Sequence, residues 1–329
     1  MFDVKSTPRS IRPLSRAALV AVFVSARVFC VTGAAGADVI TVRDSAGRTI
    51  TINNSSRIVS IGGAVTEILY ALGLEDRIVA VDTTSVYPER ALAEKPNVGY
   101  MRQLSPEGVL GLSPTLILAS EGAGPANTVA VLEAADIPFV QMPDDNTTEG
   151  VVEKIRMVAR ATGKSHQGEC LAHVVRADFD ALAVQRARIT RPLKVLFVLS
   201  FVTDRPMVAG TGTAADSAIR LAGASNAMAD IRGYKLVNGE AIVAAQPDVV
   251  VAMQRPRQVY SAEAVFARPA FAMTPAGNRR GFLSMDGEYL LSFGPRAARA
   301  VRDLGAYLYP DQVRDRLPSE QETDGPCLR

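Results

Sequence analysis

Tyr100 and Arg102 stand two positions apart in the stretch NVGYMRQLSPEGVLGLSPTLILA, residues 97–119, in a loop just ahead of a helical pattern of Glu107, Val109, Leu110 and Leu112. A tyrosine in such a loop stacks on or hydrogen-bonds a ligand. As a phenolate it is also a hard anionic donor for ferric haem iron. Arg102 would favour the ionised phenol or pair with a ligand carboxylate. His166 and His173 lie seven apart, on one helical face, with no HExxH or CxxC beside them. A metal site there needs carboxylates from elsewhere, and solvated helix residues are the simpler reading. Gly210, Thr211, Gly212 and Thr213 open a helix and offer either free N–H groups to an anion or a tight turn. They lack the third glycine and later acid of a dinucleotide fingerprint. Gly62 and Gly63 read as packing. These residues make no secure enzymatic constellation.

The elements that hold Tyr100 recur later in the chain. KLVNGEAIVAAQPDVVVAM, residues 235–253, repeats the polar lead-in, Glu, apolar helical turn, Pro and buried strand. Glu107 corresponds to Glu240 and Pro114 to Pro247, each pair 133 positions apart. Two helix-Pro-strand units at that separation predict two similar α/β lobes with a ligand cleft between them, not a short-period solenoid.

In chain order, alternation around Ser45, Ala46 and Gly47 predicts a β-hairpin within residues 38–52. Buried strands follow at 57–61, 78–81, 116–119 and 139–141. The helix at 65–72 stops at Gly73, and a polar loop spans 82–87. The first lobe, residues 38–145, thus carries a largely parallel sheet. Asn146, Thr147, Thr148 and Glu149 form a capping start for a long helical linker, residues 146–188, broken around 163–168. Such a spacer predicts limited hinge motion. The second lobe, 189–310, carries strands at 194–199, 248–253 and 282–285, helix 214–221 and a closing helical region at 292–308. The polar tail, 311–329, reads as loosely held.

The 329 residues are 48% hydrophobic and 21% charged, enough for two cored domains. Arg9, Arg12 and Arg16 precede an apolar run that Arg27 interrupts, and Ala35, Gly36 and Ala37 follow, the layout of a secretory signal peptide over residues 1–37. The run falls short of the roughly 20 residues of a membrane span, and Cys30 lacks the small residues that precede a lipidated cysteine. Without this segment 31 basic and 33 acidic residues remain, so no nucleic-acid partner is indicated. Cys170 and Cys327 would be the remaining cysteines, read as free, although an oxidising compartment allows a disulfide.

From about residue 57 to 308 the sequence resembles the periplasmic haem-binding proteins of bacterial ABC importers. The similarity lies in RIVSIGGAVTEILYALG, VDTTSVYPERA, the block around Tyr100, GTGTAADSAIRLAGASNA and MDGEYLLSFGPRAARAVRDL. It implies two Rossmann-like lobes joined by a long linker helix, with haem as transported ligand and no catalysis. By the resemblance Tyr100 takes the place of the axial iron ligand. Arg102 and a second-lobe arginine, Arg255 or Arg257, would approach the propionates or the tyrosinate. Glu107 and Glu240 match paired glutamates that dock onto the dimeric permease of the inner-membrane ABC transporter. A ferric-siderophore or corrinoid carrier of the same fold is the alternative.

Overall fold

Strand β1 (Ile40–Arg43) and β2 (Thr49–Ile52) pair antiparallel around the Asp44–Arg48 turn, which is the hairpin expected. The computed structural model describes residues 39–202, 205–255, 258–320 and 327. The segment read as a signal peptide, 1–37, lies outside the described residues, as does Arg257.

The first lobe then alternates β3 (Ile58–Ile61), α1 (Gly63–Ala71), β4 (Ile78–Val81), α2 (Arg90–Glu94), α3 (Pro106–Leu110), β5 (Leu116–Ser120), α4 (Ala126–Ala134) and β6 (Phe139–Met142). The sheet order is β4-β3-β5-β6 and every pairing is parallel. Such strands are covered on both faces, which is why they are short unbroken apolar runs; all four β3 residues are buried. Because the strands share one direction, the loops after β3, β4, β5 and β6 all open at one edge, where α/β sheets hold ligands.

Residues 146–188, expected as a helical linker broken around 163–168, form two helices with the turn between them at 162–164. Thr147 caps α5 (Thr148–Ala161) by accepting from the Gly150 N–H at 3.0 Å. After Gly163 at φ +71° the chain turns back as α6 (Ser165–Arg186), which packs along α5. Gly168 is required there, since a Cβ would come within 2.2 Å of the Ala159 methyl. The 22-residue α6 leads into the second lobe.

That lobe comprises β7 (Lys194–Val202), β8 (Arg205–Ala209), α7 (Ala214–Leu221), β9 (Ser225–Asn226), β10 (Tyr234–Leu236), α8 (Gly239–Ala245), β11 (Val249–Gln254), α9 (Ala262–Phe266), α10 (Pro269–Ala272), α11 (Pro275–Arg279), β12 (Phe282–Asp286), α12 (Gly287–Leu291) and α13 (Ala297–Leu308). Its sheet order is β10-β8-β7-β11-β12, with β9 beside β7. Strands β7, β11 and β12 are parallel, but β8 runs against β7 and β10 against β8.

One apolar cluster runs from β3 and α1 through α5, α6 and α13 to Phe197 and Val251 of the second sheet, so the lobes share a core. Separate clusters fill the outer faces, under α3 and α4 in one lobe and under α8 to α11 in the other. The tail departs from expectation. Val313 and Leu317 are buried, Ser319 donates to Asp178 of α6, and Cys327 forms a disulfide with Cys170 across 157 positions. The two cysteines are therefore bonded, not free: α6 and the tail bring their Cα atoms to 5.5 Å, a proximity that sequence separation hides.

Candidate functional site

Tyr100 stands at the ligand edge of the first sheet. Its loop extends β4: Val98 N–H donates to the Val81 carbonyl and Thr83 N–H to that of Gly99, both at 2.9 Å. Gly99, at φ +93°, makes the turn that lifts Tyr100 off the sheet. The loop is tied from the other side as well, by Gly124 N–H to Met101 O and Leu104 N–H to Gly124 O. On this two-point mount Tyr100 is 43% exposed, and its hydroxyl makes no hydrogen bond with a described residue. The Tyr100 ring is therefore open to contact from outside the first lobe. Arg102 is exposed in the same loop.

The second lobe brings Arg255 to the end of β11, where its backbone bridges to Gln258. Arg255 is one of the charges acting on Glu288, together with Asp82 of the first lobe and Asp286. Burial pushes the Glu288 carboxyl up to about 7, although Ser292 donates to it at 3.1 Å. Asp82 itself is fully engaged, accepting from the Gly62 and Thr84 N–H groups and from both neighbouring hydroxyls. Tyr234 of β10 lies close enough to Arg102 for its phenol to feel that charge; burial raises its pKa while the Ala215 N–H, Thr213 and Arg102 oppose the rise. Across the two lobes, Arg102 thus lies within electrostatic reach of Tyr234, and Asp82 within reach of Glu288.

A cluster of charges joins the two lobes. Glu67 of α1, 7% exposed at its side chain, accepts from the Arg296 backbone N–H at 2.9 Å and from its guanidinium at 3.0 Å. Arg296 also lies 3.4 Å from the Tyr87 ring centre and 5.1 Å from that of Tyr289. Lys154 of α5 is 1% exposed and donates to the Phe293 carbonyl at 3.4 Å. Gly63 sits so near the Thr84 carbonyl that a Cβ would meet it at 2.5 Å. Val86, Tyr87 and Glu89 of the first lobe and Asp286, Tyr289 and Arg296 of the second line a hollow of about 490 Å³ there.

Glu107 and Glu240 occupy the second positions of α3 and α8, helices capped by Ser105 and Asn238. Both are exposed, and neither forms an ion pair with a described residue. Ser113 and Gln246, also 133 apart, share a left-handed backbone at φ 48° and 47°, so the repeat extends to local geometry. Gly210 to Thr213 prove to be a turn: the Gly210, Thr211 and Gly212 N–H groups donate to the Gly233 and Ile231 carbonyls and to Asp216, and Thr213 caps α7, so these donors are already engaged. His166 and His173 are exposed on α6. Among the described residues no three His, Cys, Asp or Glu side chains form a metal cluster.

This placement of a ligand cleft between two α/β lobes agrees with the comparisons. The family described as periplasmic binding protein matches residues 58–289. The chain belongs to that family. A solved structure of a periplasmic haem-binding protein, RhuT of Roseiflexus sp. RS-1 in its apo form, is 40% identical over 78% of this chain and 99% of that one, with a TM-score of 0.74. An ABC transporter substrate-binding lipoprotein of Bacillus subtilis, YvrC, described as uncharacterized, is 27% identical over 84% of this chain and 87% of its own length. A vitamin B12-binding protein of Yersinia pestis is 28% identical over 64% and 74%. The family is one of substrate-binding proteins of transport, not of enzymes. The sequence reading expected Tyr100, Arg102 and Arg255 at the site; it did not name Tyr234, Glu288, Glu67 or Arg296, which the structure places near charged groups across the lobes. The motif MDGEYLLSFGPRAARAVRDL contains two of these, yet nothing in its spacing names their partners.

Proposed function

We propose that this protein is a periplasmic haem carrier that holds ferric haem in the interlobe cleft through the Tyr100 oxygen and delivers it to an inner-membrane ABC transporter. The observation that carries the reading is Tyr100 itself, an exposed phenol without a hydrogen-bond partner among the described residues, on a loop tied on both sides at the strand-end edge of the first sheet. A phenolate is a hard donor suited to ferric haem iron. Arg102 and Arg255, exposed on the two facing edges, supply the charges that two propionates require. The 40% identity to a haem-binding protein supports the same ligand. Glu107 and Glu240 would engage basic residues of the two permease subunits, each pair adding little by itself and the two together acting as one bivalent contact. Residues 1–37 would direct export and be removed.

The test is titration of the purified protein with haem, read by absorbance. Loss of a direct ligand should weaken binding roughly tenfold or more, since removal of outer partners alone costs 10–100-fold. Tyr100→Phe keeps the ring and deletes the donor, so its spectrum should change as that of Tyr100→Ala does; unchanged spectra and affinity would remove Tyr100 as ligand. The vitamin B12-binding relative motivates a second reading, a corrinoid. A corrinoid needs no phenolate donor, and displacement of haem by cyanocobalamin at equal concentration would favour it.

A further inference from the structure

A second apolar concavity lies away from the cleft, between α8 and α10. It measures about 530 Å³, and Gly239, Val243, Ala244, Ala270 and Met273 line it, with Glu240 at its rim. The groove exists because small residues let the two helices approach: a Cβ on Gly239 would come within 2.9 Å of the Ala270 methyl. Met273 is 60% exposed beside it and Ala244 is exposed on the facing helix. The corresponding residues in the first lobe, 133 positions earlier, are Pro106, Leu110 and Gly111, so the repeat keeps the acid but not this lining.

We propose that this groove receives an apolar side chain of the transporter's permease, next to a basic residue of the same permease segment that pairs with Glu240. The proposal rests on the docking reading above. Charge selects the occupant, because the rim carries one carboxylate without an ionic partner among the described residues and the wall is otherwise apolar. A partner segment must therefore present a cation beside a hydrophobic side chain. Size points the same way. Its lining of seven residues is far short of the roughly 20–30 residues a side of a self-standing interface, so it serves as one anchor of a contact that also engages Glu107.

The experiment measures binding of the mature protein to nanodiscs carrying the inner-membrane permease–ATPase complex, with empty nanodiscs beside them. Ala244→Gln and Met273→Gln change polarity without charge at exposed positions, and the double variant should bind the complex about tenfold more weakly, the loss of one buried apolar side chain, with haem binding unaltered. Glu107→Ala and Glu240→Ala report on docking independently. If these two lose binding while the Gln variants keep it, the groove proposal fails and the docking reading stands; if neither acid matters, the docking reading fails as well. Equal binding to empty nanodiscs would assign the groove to lipid, and self-association in sedimentation that the Gln variants abolish would assign it to a second copy; either result overturns the proposal.

Discussion

Replacing Arg296 by leucine strips the lobe junction of the cation that bonds Glu67. The carboxylate would then lie in a site that leaves its side chain 7% exposed, without either its 3.0 Å guanidinium bond or the stacking of that group on Tyr87. Removing one partner of a buried pair costs about 3–5 kcal/mol. The guanidinium is partly solvated, which places the expected loss near the lower bound, about 3 kcal/mol. For a folded unit of this size each kcal/mol moves Tm by roughly 2–3 °C, so thermal unfolding followed by circular dichroism at pH 8 should fall by roughly 6–9 °C. Burial already holds the Glu67 carboxyl above its ordinary value of 4.5, with Arg296 opposing. Without Arg296 it rises further. A carboxyl raised in the folded state contributes stability that is present below its unfolded pKa and lost as pH climbs through the folded value. The variant should therefore lose less relative to wild type as pH falls from 8 toward 5, because the folded variant binds a proton at Glu67 more readily than wild type does. Glu67→Gln keeps an acceptor for the Arg296 N–H and adds no charge, so its Tm should stay within about 2 °C of wild type. A loss in Arg296→Leu that is larger at pH 5 than at pH 8, or absent at both, would refute this account.

Glu288, raised to about 7, should make haem affinity pH-dependent: once ionised it competes for Arg255 and repels the propionates, so wild type should weaken relative to Glu288→Gln, by roughly threefold to tenfold, as pH rises from 6 to 8, measured by haem titration. Burial holds the Lys154 amine below its ordinary 10.5, so the folded state disfavours the charge, and wild-type stability should increase as pH rises from the folded value toward 10.5. Lys154→Met should remove that slope and raise stability at pH 7 by about 1–2 kcal/mol in urea unfolding. Cys170→Ser frees the tail from α6, and the expected loss of about 2–4 kcal/mol should come with rapid tryptic cleavage at Arg314, an exposed residue of that segment. Equal cleavage of both proteins would show that Val313, Leu317 and Asp178 hold the tail without the bond.

What the sequence discloses and what it conceals divide along contact range. The repeat at 133 positions was legible because each unit is local: Ser105 and Asn238 cap their helices within three residues, and Ser113 and Gln246 turn the chain within one. Tyr100 was legible for the same reason, since a loop between a strand and a capped helix fixes where it emerges. Strands β8 and β10 were not, because Pro206 and the short Tyr234–Leu236 run give no alternation, and their pairing is decided by β7. The fold-back of α5 on α6 turns on Gly168 meeting Ala159, a contact with no periodic signature.

The residues that fasten the lobes are the least legible of all, and the reason bears on function. Arg296 and Glu67 are 229 positions apart and Lys154 and Phe293 are 139 apart, so each contact exists only once the second lobe has packed on the first lobe or on the linker. Together with the apolar cluster that runs without a break from β3 to β7, they make the lobe junction a packed seam rather than an open hinge. A carrier built this way changes shape little around its ligand, so selectivity must come from groups already standing at the two cleft edges. On the proposed reading that requirement would fall on Tyr100, Arg102, Tyr234, Arg255 and Glu288, with the tyrosine carried by a loop tied at both ends instead of a flexible lid.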